Sequence, residues 1–249
     1  MESLVRLLVL GSAGSYPAPA SACSSYLLQH DGYQLLIDAG NGSMSNLYNF
    51  TTPANLDAVF LSHPHIDHLA DFVGIYHYRK YVSVSKERLK VFAGSKTLGL
   101  LESLVGSEMY DIVDATVLDN EARFEAGPFV ASVAKMAHPV QTFGLRVESG
   151  GKVFAYSADT GPCASLEALS EEADFLLCES TWVEDSDSHP KDLHMTVSQA
   201  VSAARNANAK KLVITHVAYP NSPFVALARA REIGELPVEH AFELEEHSI

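Results

Sequence analysis

The amino-acid sequence predicts an α/β (α+β) chain folded as a four-layer αββα sandwich, and three observations predict it. Short apolar strands come in hairpins early in each half of the chain, first around Asp31-Gly32 and again around Gly150-Gly151. Glycine in such a two-residue turn accepts the positive φ that a tight hairpin needs. Helices and strands follow each hairpin group, which sets helices on the outer faces of two packed sheets rather than on both faces of one parallel sheet. With 249 residues, 47% of them hydrophobic and 19% charged, the chain has the material for one domain over residues 1–249 with a shared core.

The elements read off in order. Leu4–Leu10 is a first strand running into the tight loop Gly11-Ser12-Ala13-Gly14, and Ser25–Gln29 and Tyr33–Asp38 follow as a hairpin. Asp57–Leu61 is the next strand. Ile66–Val82 reads as mostly helical, and Ser95–Val105 as a helix with Leu98, Leu101 and Val105 at helical spacing. A strand-rich middle includes Phe129–Ala137 and the hairpin of Thr142–Glu148 with Lys152–Ser157. Helix and strand then alternate: Cys163–Ser170 helix, Asp174–Cys178 strand, Thr196–Asn206 helix, Lys211–Thr215 strand and Pro223–Ile233 helix.

The net charge of −14 argues against bulk nucleic-acid binding, since neutralising phosphates needs clustered Lys and Arg. Cys23, Cys163 and Cys178 are widely spaced and form no C-x-x-C pair, so neither a disulfide framework nor a structural zinc knuckle is indicated. No apolar run approaches the roughly 18–20 residues of a membrane span. Leu7–Leu10 ahead of Ala18-Pro19-Ala20 is too short, and too close to Arg6, for a secretory leader. The expected location is the cytoplasm, with no membrane partner.

The chemistry concentrates in His63-Pro64-His65-Ile66-Asp67-His68, directly after the strand Ala58-Val59-Phe60-Leu61. His63 and His65 lie two apart in an extended loop, so both imidazoles can aim at one cation. Asp67 and His68 come one short turn later and can reach a second. A lone histidine is ordinarily a packed or solvated residue, but four ligand-type residues in six positions at a strand end point to metal. Imidazole with carboxylate suits zinc, with manganese or iron as alternatives. The arrangement recurs, since Val130–Ala137 ends at His138, Val153–Ser157 ends near Asp159 and Leu212–Thr215 ends at His216. Strand ends fix position while the following loops stay open to solvent. His63, His65 and His138 can form one site and Asp67, His68 and His216 a second, with Asp159 bridging. Two divalent cations about 3.5–4 Å apart would hold a hydroxide and clamp a phosphoryl or carbonyl oxygen. Asp67 beside that hydroxide could orient it or take its proton.

The strand–HxHxDH loop with the later single His, Asp and His resembles the metallo-β-lactamase superfamily across essentially the whole chain. Asp38, in Leu36-Ile37-Asp38-Ala39-Gly40, matches that superfamily's Asp at the end of an early strand, where the resemblance implies a bracing acceptor for the ligand loop. Two further stretches are similar to the branch holding tRNA 3′-processing endonucleases (RNase Z) and related phosphodiesterases. Leu177-Cys178-Glu179-Ser180-Thr181-Trp182 resembles its Glu-containing motif, and His194-Met195-Thr196 with Gln199-Ala200 its His-x-Thr motif. The resemblance implies that Glu179 orients His194, and that His194 supports the phosphate or protonates the leaving group.

One departure bears on the substrate. The tRNA endonucleases carry a long tRNA-gripping arm between the third His and the bridging Asp, whereas His138 and Asp159 stand 21 positions apart here, with a Gly-Gly hairpin between them. A small-substrate pocket is expected rather than a tRNA groove. Phe72–Tyr81 and the loop Gly14–Ser21 are similar to bacterial proteins described as atypical cyclic-nucleotide (cAMP) phosphodiesterases. The resemblance therefore implies a metal-dependent phosphodiesterase with two divalent metal ions per chain, acting on a small phosphodiester, 3′,5′-cyclic nucleotide first. An RNA or tRNA 3′-end endonuclease without the arm comes second. Other hydrolases of the fold, acting on lactones, thioesters or β-lactams, come third, with Glu179 and His194 telling against them. A metal sensor without catalysis is disfavoured because no ligand is missing.

Proteins of this branch commonly pair, so a homodimer is expected, with the aromatic helix Phe72–Tyr81 offering an apolar patch. Tyr76, Tyr78 and Tyr81 read as packing residues. Arg79 and Lys80, about three helical turns or roughly 16 Å from His68, are assigned to an interface. His30, His77, His189, His240 and His247 are read as ordinary core or surface histidines.

Overall fold

Two seven-stranded sheets lie face to face, each built half from hairpins and half from parallel strands. The structure, a computed structural model, describes residues 4–83 and 87–249. The first half of the chain runs β1 (Arg6–Gly11), β2 (Ser25–His30), β3 (Tyr33–Ile37), α1 (Ser43–Leu47), β4 (Ala58–Leu61), α2 (Ile66–Leu69), α3 (Phe72–Tyr81), β5 (Leu89–Gly94), α4 (Ser95–Val105), α5 (Met109–Ile112) and β6 (Val113–Leu118). The second runs β7 (Arg123–Ala126), β8 (Phe129–Lys135), β9 (Phe143–Ser149), β10 (Lys152–Tyr156), α6 (Ala164–Leu169), β11 (Phe175–Glu179), α7 (Val197–Asn206), β12 (Leu212–Thr215), α8 (Pro223–Ile233) and β13 (Val238–His240). The last strand, β14 (Glu246–Ser248), returns to the first sheet and pairs with β1.

The layers follow from strand periodicity. In β4, Ala58 and Phe60 enter the core between the sheets while Val59 and Leu61 face the helices, because successive side chains point to opposite faces. All four are buried, as expected of a parallel strand covered on both sides. The inter-sheet core joins Leu7, Ile37 and Phe60 to Phe129, Leu145, Phe154 and Phe175. Outside the first sheet, Leu69, Phe72, Ile75, Leu98 and Leu101 cover Val59 and Val91. Outside the second, Leu166, Val197, Val201 and Ala226 cover Leu176 and Ile214. This is the expected αββα sandwich. No helix among the described residues is long and apolar enough to cross a membrane.

Two expectations, on Arg79 and on the face of α3, are corrected. Ile66–Val82 is mostly helical as expected, in two helices, α2 and α3, broken at Ala70-Asp71. The loop after β3 causes the break: Ala39 N donates to His68 O at 2.7 Å, and Asp71 N donates to Ala39 O at 2.9 Å. Arg79 is buried and serves no interface. Its guanidinium donates to the backbone carbonyls of Pro53, Ala54, Leu56 and Glu87, tying α3 to the turn before β4 and to the start of β5. The apolar face of α3 also points inward, with Phe72, Ile75 and Tyr76 all buried, so it offers no patch for pairing; Tyr81 and Val82 at its end are exposed.

Candidate metal centre

The predicted ligands converge from four loops at one end of the sandwich. The loop after β4 and the short α2 bring His63, His65, Asp67 and His68 from the first half of the chain. The ends of β8, β10 and β12 bring His138, Asp159 and His216 from the second. Backbone turns aim some of these groups, since Asp38 and His216 adopt φ of 55° and 59° just past their strands. Non-glycine residues seldom occupy that region, and their occurrence at a site marks geometry fixed by the surrounding structure.

The ligand atoms sort into two groups, each with its atoms within 4.8 Å of one another: His63, His65, His138 and Asp159; and Asp67, His68, Asp159 and His216. In the first, His65 Nδ1 lies 3.1 Å from His63 Nε2 and 3.2 Å from His138 Nε2. In the second, His68 Nε2 and His216 Nε2 are 3.3 Å apart, and Asp67 Oδ2 lies 3.3 Å from His216 Nε2 and 3.5 Å from His68 Nε2. Asp159 turns one oxygen to each group. Its Oδ2 is 3.5 Å from His63, while Oδ1 is 3.1 Å from His68 and 3.4 Å from His216.

Two buried carboxylates behind the ligands set the rings. Asp38 Oδ2 accepts from His68 Nδ1 at 2.8 Å and from Ser62 Oγ at 2.8 Å, and Ser62 Oγ accepts from His63 Nδ1 at 2.9 Å. Glu179 mirrors this arrangement. Its Oε1 accepts from His194 Nδ1 at 2.9 Å, its Oε2 accepts from Thr181 Oγ1 at 2.8 Å, and Thr181 Oγ1 accepts from His216 Nδ1 at 2.8 Å. The Leu193 carbonyl does the same for His138 Nδ1 at 2.8 Å. Holding the proton on the outer nitrogen turns the lone pair of the inner one toward the centre, the usual role of groups behind metal-bound histidine.

The donor set fits divalent cations. Imidazole nitrogens face each other at 3.1–3.3 Å, an arrangement a cation between them satisfies. Asp159 Oδ1 is buried without a hydrogen-bond partner of proper geometry. Burial resists ionisation of Asp159, yet His216, His68 and His63 hold its carboxyl well below the usual range. Burial likewise resists a charge on His68, but Asp159 and Asp38 pull its pKa well above the ordinary value. The pocket thus carries a field that positive charge relieves. His194 lies beside this centre, with Nδ1 3.9 Å from Asp159 Oδ2. Burial would lower its pKa, but the charge of Glu179 and the hydrogen bond between them lift it to about 9.

The seven candidate ligands come together here with Asp38, Glu179 and His194. The hydroxyls of Ser62 and Thr181 and the phenol of Tyr156, which donates to Asp38 at 2.8 Å, were missed. Ser62 immediately precedes the histidine loop and Thr181 sits two after Glu179, so position relative to a motif was the available signal. Among the histidines set aside, His30 bonds Ser149 and His247 bonds Glu239, while His189 stacks on Trp182 at 4.1 Å. His240 is different: it is buried, and neither ring nitrogen has a hydrogen-bond partner of proper geometry, although the Ala241 backbone lies near enough to act on the ring.

Comparison with known proteins agrees with this geometry. The model of the β-lactamase superfamily domain matches residues 33–217. An uncharacterized protein of Mycobacterium tuberculosis is 36% identical over 222 residues, covering 86% of this chain and 81% of that one. The probable metallo-hydrolase YhfI of Bacillus subtilis is 29% identical over 217 residues, covering 86% and 87%. The crystal structure of YhfI superposes with a TM-score of 0.90 over 100% of both chains, at 27% identity. A ribonuclease Z of Myxococcus xanthus is 26% identical over 97% of this chain and 96% of its own.

Proposed function

The chain belongs to the β-lactamase superfamily, as a metallo-hydrolase with RNase Z-like relatives, and from that premise we propose that it is a metal-dependent phosphodiesterase hydrolysing a small phosphodiester, a 3′,5′-cyclic nucleotide such as cAMP first. The observation that carries this reading is the buried Glu179–His194 pair set against the ligand cluster. A phosphodiester gains from a cationic donor beyond the metals, because its leaving group departs as an alkoxide that needs a proton.

His63, His65 and His138 would hold one ion and Asp67, His68 and His216 the other, with Asp159 between them and zinc as the expected metal. Two cations held there would make a water acidic enough to serve as nucleophile and would supply electrophilic charge at the phosphoryl oxygens. The protein's own groups do the rest. Asp67 orients the attacking water and can take its proton. His194, whose proton Glu179 favours, would donate to the phosphoryl oxygen or to the departing alkoxide, and Glu179 keeps the ring turned toward the substrate. Asp38 and Ser62 on one side, and Glu179 and Thr181 on the other, fix the ligand rings so that little reorganisation accompanies the reaction.

What joins His138 to Asp159 supports a small substrate. That stretch is the β9–β10 hairpin, paired from Lys152↔Ser149 to Tyr156↔Leu145 within the second sheet, and nothing in it projects to grip a large partner. The second reading, an RNA 3′-end nuclease, draws on the similarity to a ribonuclease Z. A panel of cAMP, cGMP, bis-p-nitrophenyl phosphate, precursor tRNA and a lactone, assayed with zinc- and manganese-loaded protein, separates the two. Turnover of precursor tRNA with no turnover of cyclic nucleotide overturns the proposal, as does turnover of the lactone alone.

A further inference from the structure

A cavity of about 290 Å³ opens beside the metal centre, on the His138 side. Its walls include Lys96, Asn120, Lys135, His138, Gln141 and Phe143. Two links tie it to the candidate ligands. His138 is itself one of them, and Phe143 N donates to the carbonyl of Ser62, the residue before His63, at 3.1 Å. Lys135 ends β8, where its amide donates to Asn120 Oδ1 at 2.9 Å and its carbonyl accepts from Ser165 Oγ at 2.8 Å. Lys96 stands in the first turn of α4, and its amide reaches Gln141 Oε1 at 3.5 Å. Gly94 makes room for the Gln141 side chain, since a Cβ there would fall 2.6 Å from Gln141 Oε1.

Apart from His138, every polar side chain of this lining has a donor to offer. The two ammonium groups can only donate. The amide oxygens of Asn120 and Gln141 are turned to backbone N–H groups, which leaves their NH₂ groups for a ligand. No carboxylate lines the cavity, although the chain has 31 acidic residues against 17 basic ones. Lys80, Lys152, Lys210 and Lys211 each lie within 4.0 Å of a carboxylate. Lys96 and Lys135 have no ion-pair partner among the described residues, and both are exposed to solvent. Two like charges facing one space repel, and an anion between them reverses the sign of the interaction. Several donors converging with net positive charge match the acceptor oxygens of a phosphate, which lysine binds as a point charge.

We propose that this cavity binds a phosphate of the substrate other than the one cleaved. The proposal rests on the phosphodiesterase reading above and adds to its substrate class: a diester carrying a second phosphate is bound better than the same diester without it. A dinucleotide with a 5′-phosphate is such a substrate, whereas cAMP, with one phosphate, would leave the cavity unfilled. The volume lies just under the roughly 300–1,000 Å³ of sites that hold a whole ligand, which suits one group of a substrate. Lys96 and Lys135 are then specificity residues, acting on charge away from the reacting phosphorus.

The test compares the 5′-phosphorylated dinucleotide pApA with unphosphorylated ApA on the zinc-loaded protein. The ratio of kcat/KM for pApA to that for ApA should be at least tenfold. It should fall below threefold when Lys96→Gln and Lys135→Gln are combined, and persist when both are changed to Arg. Both side chains are exposed, so these substitutions leave the fold intact. A second readout does not depend on turnover. A pApA analogue with a methylene group in place of the scissile bridging oxygen should shield Lys96 and Lys135 from acetylation, but not the exposed Lys90. Equal kcat/KM for ApA and pApA overturns the cavity assignment and leaves the phosphodiesterase reading intact, as does turnover of bis-p-nitrophenyl phosphate but of neither dinucleotide. Shielding of both lysines without turnover of any phosphodiester does the reverse. A preference for pApA that survives the Gln substitutions places the phosphate elsewhere and overturns the assignment. Equal shielding by inorganic phosphate, with no preference for pApA, gives the cavity to a free anion and overturns its role in substrate binding.

Discussion

His194 donates through Nδ1 to Glu179 Oε1 at 2.9 Å, and the same carboxylate reaches His216 through Thr181. One acid thus orients both a metal-facing histidine and the proposed proton donor. His194→Ala should leave metal content intact while lowering kcat for cAMP by about 10²–10⁴, the range for a positioned acid–base group. Glu179→Gln should cost less, because an amide still accepts from the ring but no longer favours its cation. With bis-p-nitrophenyl phosphate, whose leaving group departs without a proton, the His194→Ala loss should shrink. Equal losses on both substrates would assign His194 to stabilising the phosphoryl oxygens instead, and no loss on either would make it an ordinary loop histidine.

Elemental analysis of the fully loaded protein should give two ions per chain, since two overlapping ligand groups share Asp159. His65→Ala should empty the group of His63, His65 and His138 and abolish turnover. The Asp67, His68 and His216 group should retain its ion, giving one per chain. Wild-type protein that never exceeds one ion under saturating metal would contradict the two-ion reading.

Asp38 touches neither group of ligand atoms but supports a ring in each, His68 directly and His63 through Ser62. Asp38→Asn should therefore weaken metal retention against a chelator about 10–100-fold at both sites, unlike a substitution at a single ligand. It also sets an amide NH₂ against the buried donors of Ser62 and Tyr156, at a cost of about 1–3 kcal/mol in unfolding free energy. Retention unchanged at one site would show that Asp38 braces only the other.

His240 gives a pH signature. Burial pushes its pKa down to about 4, against an opposing pull from the Ala241 backbone and with a lesser lowering from the charge of His247. The unfolded chain binds a proton there near pH 6.5 that the folded chain refuses until about pH 4. Stability contributed at this position is therefore complete above about pH 6.5 and is lost as the pH falls, by up to about 3 kcal/mol near pH 4. His247 and Glu243 titrate nearby, so the comparison is with His240→Phe, whose stability should decline less between pH 6.5 and 4 in urea unfolding. Parallel declines would show that His240 takes up its proton normally.

The candidate ligands stood out because chemistry and chain position coincide at them. Four lie within six residues, and His138 and His216 follow apolar strands that announce themselves. The groups behind them were not, because a serine such as Ser62 becomes a relay only where Asp38, 24 residues earlier, is brought against it. The break between α2 and α3 escaped for a similar reason: the competing partner is the backbone of Ala39, far from the helix in sequence. Arg79 was assigned to a surface on its charge alone, whereas the chain around it folds four carbonyl acceptors over the guanidinium. His240 looked ordinary because an unpartnered buried ring is a property of the packed molecule and leaves no trace in composition.

The candidate ligands come in nearly equal shares from the two halves of the chain, His63, His65, Asp67 and His68 from one and His138, Asp159 and His216 from the other. Ions held between them would work like rivets through two plates, each plate being a sheet with its own helical backing. The halves could not slide or part without tearing the centre open. In such a molecule the catalytic apparatus is also a clasp, so wear on the one registers at once as looseness in the other.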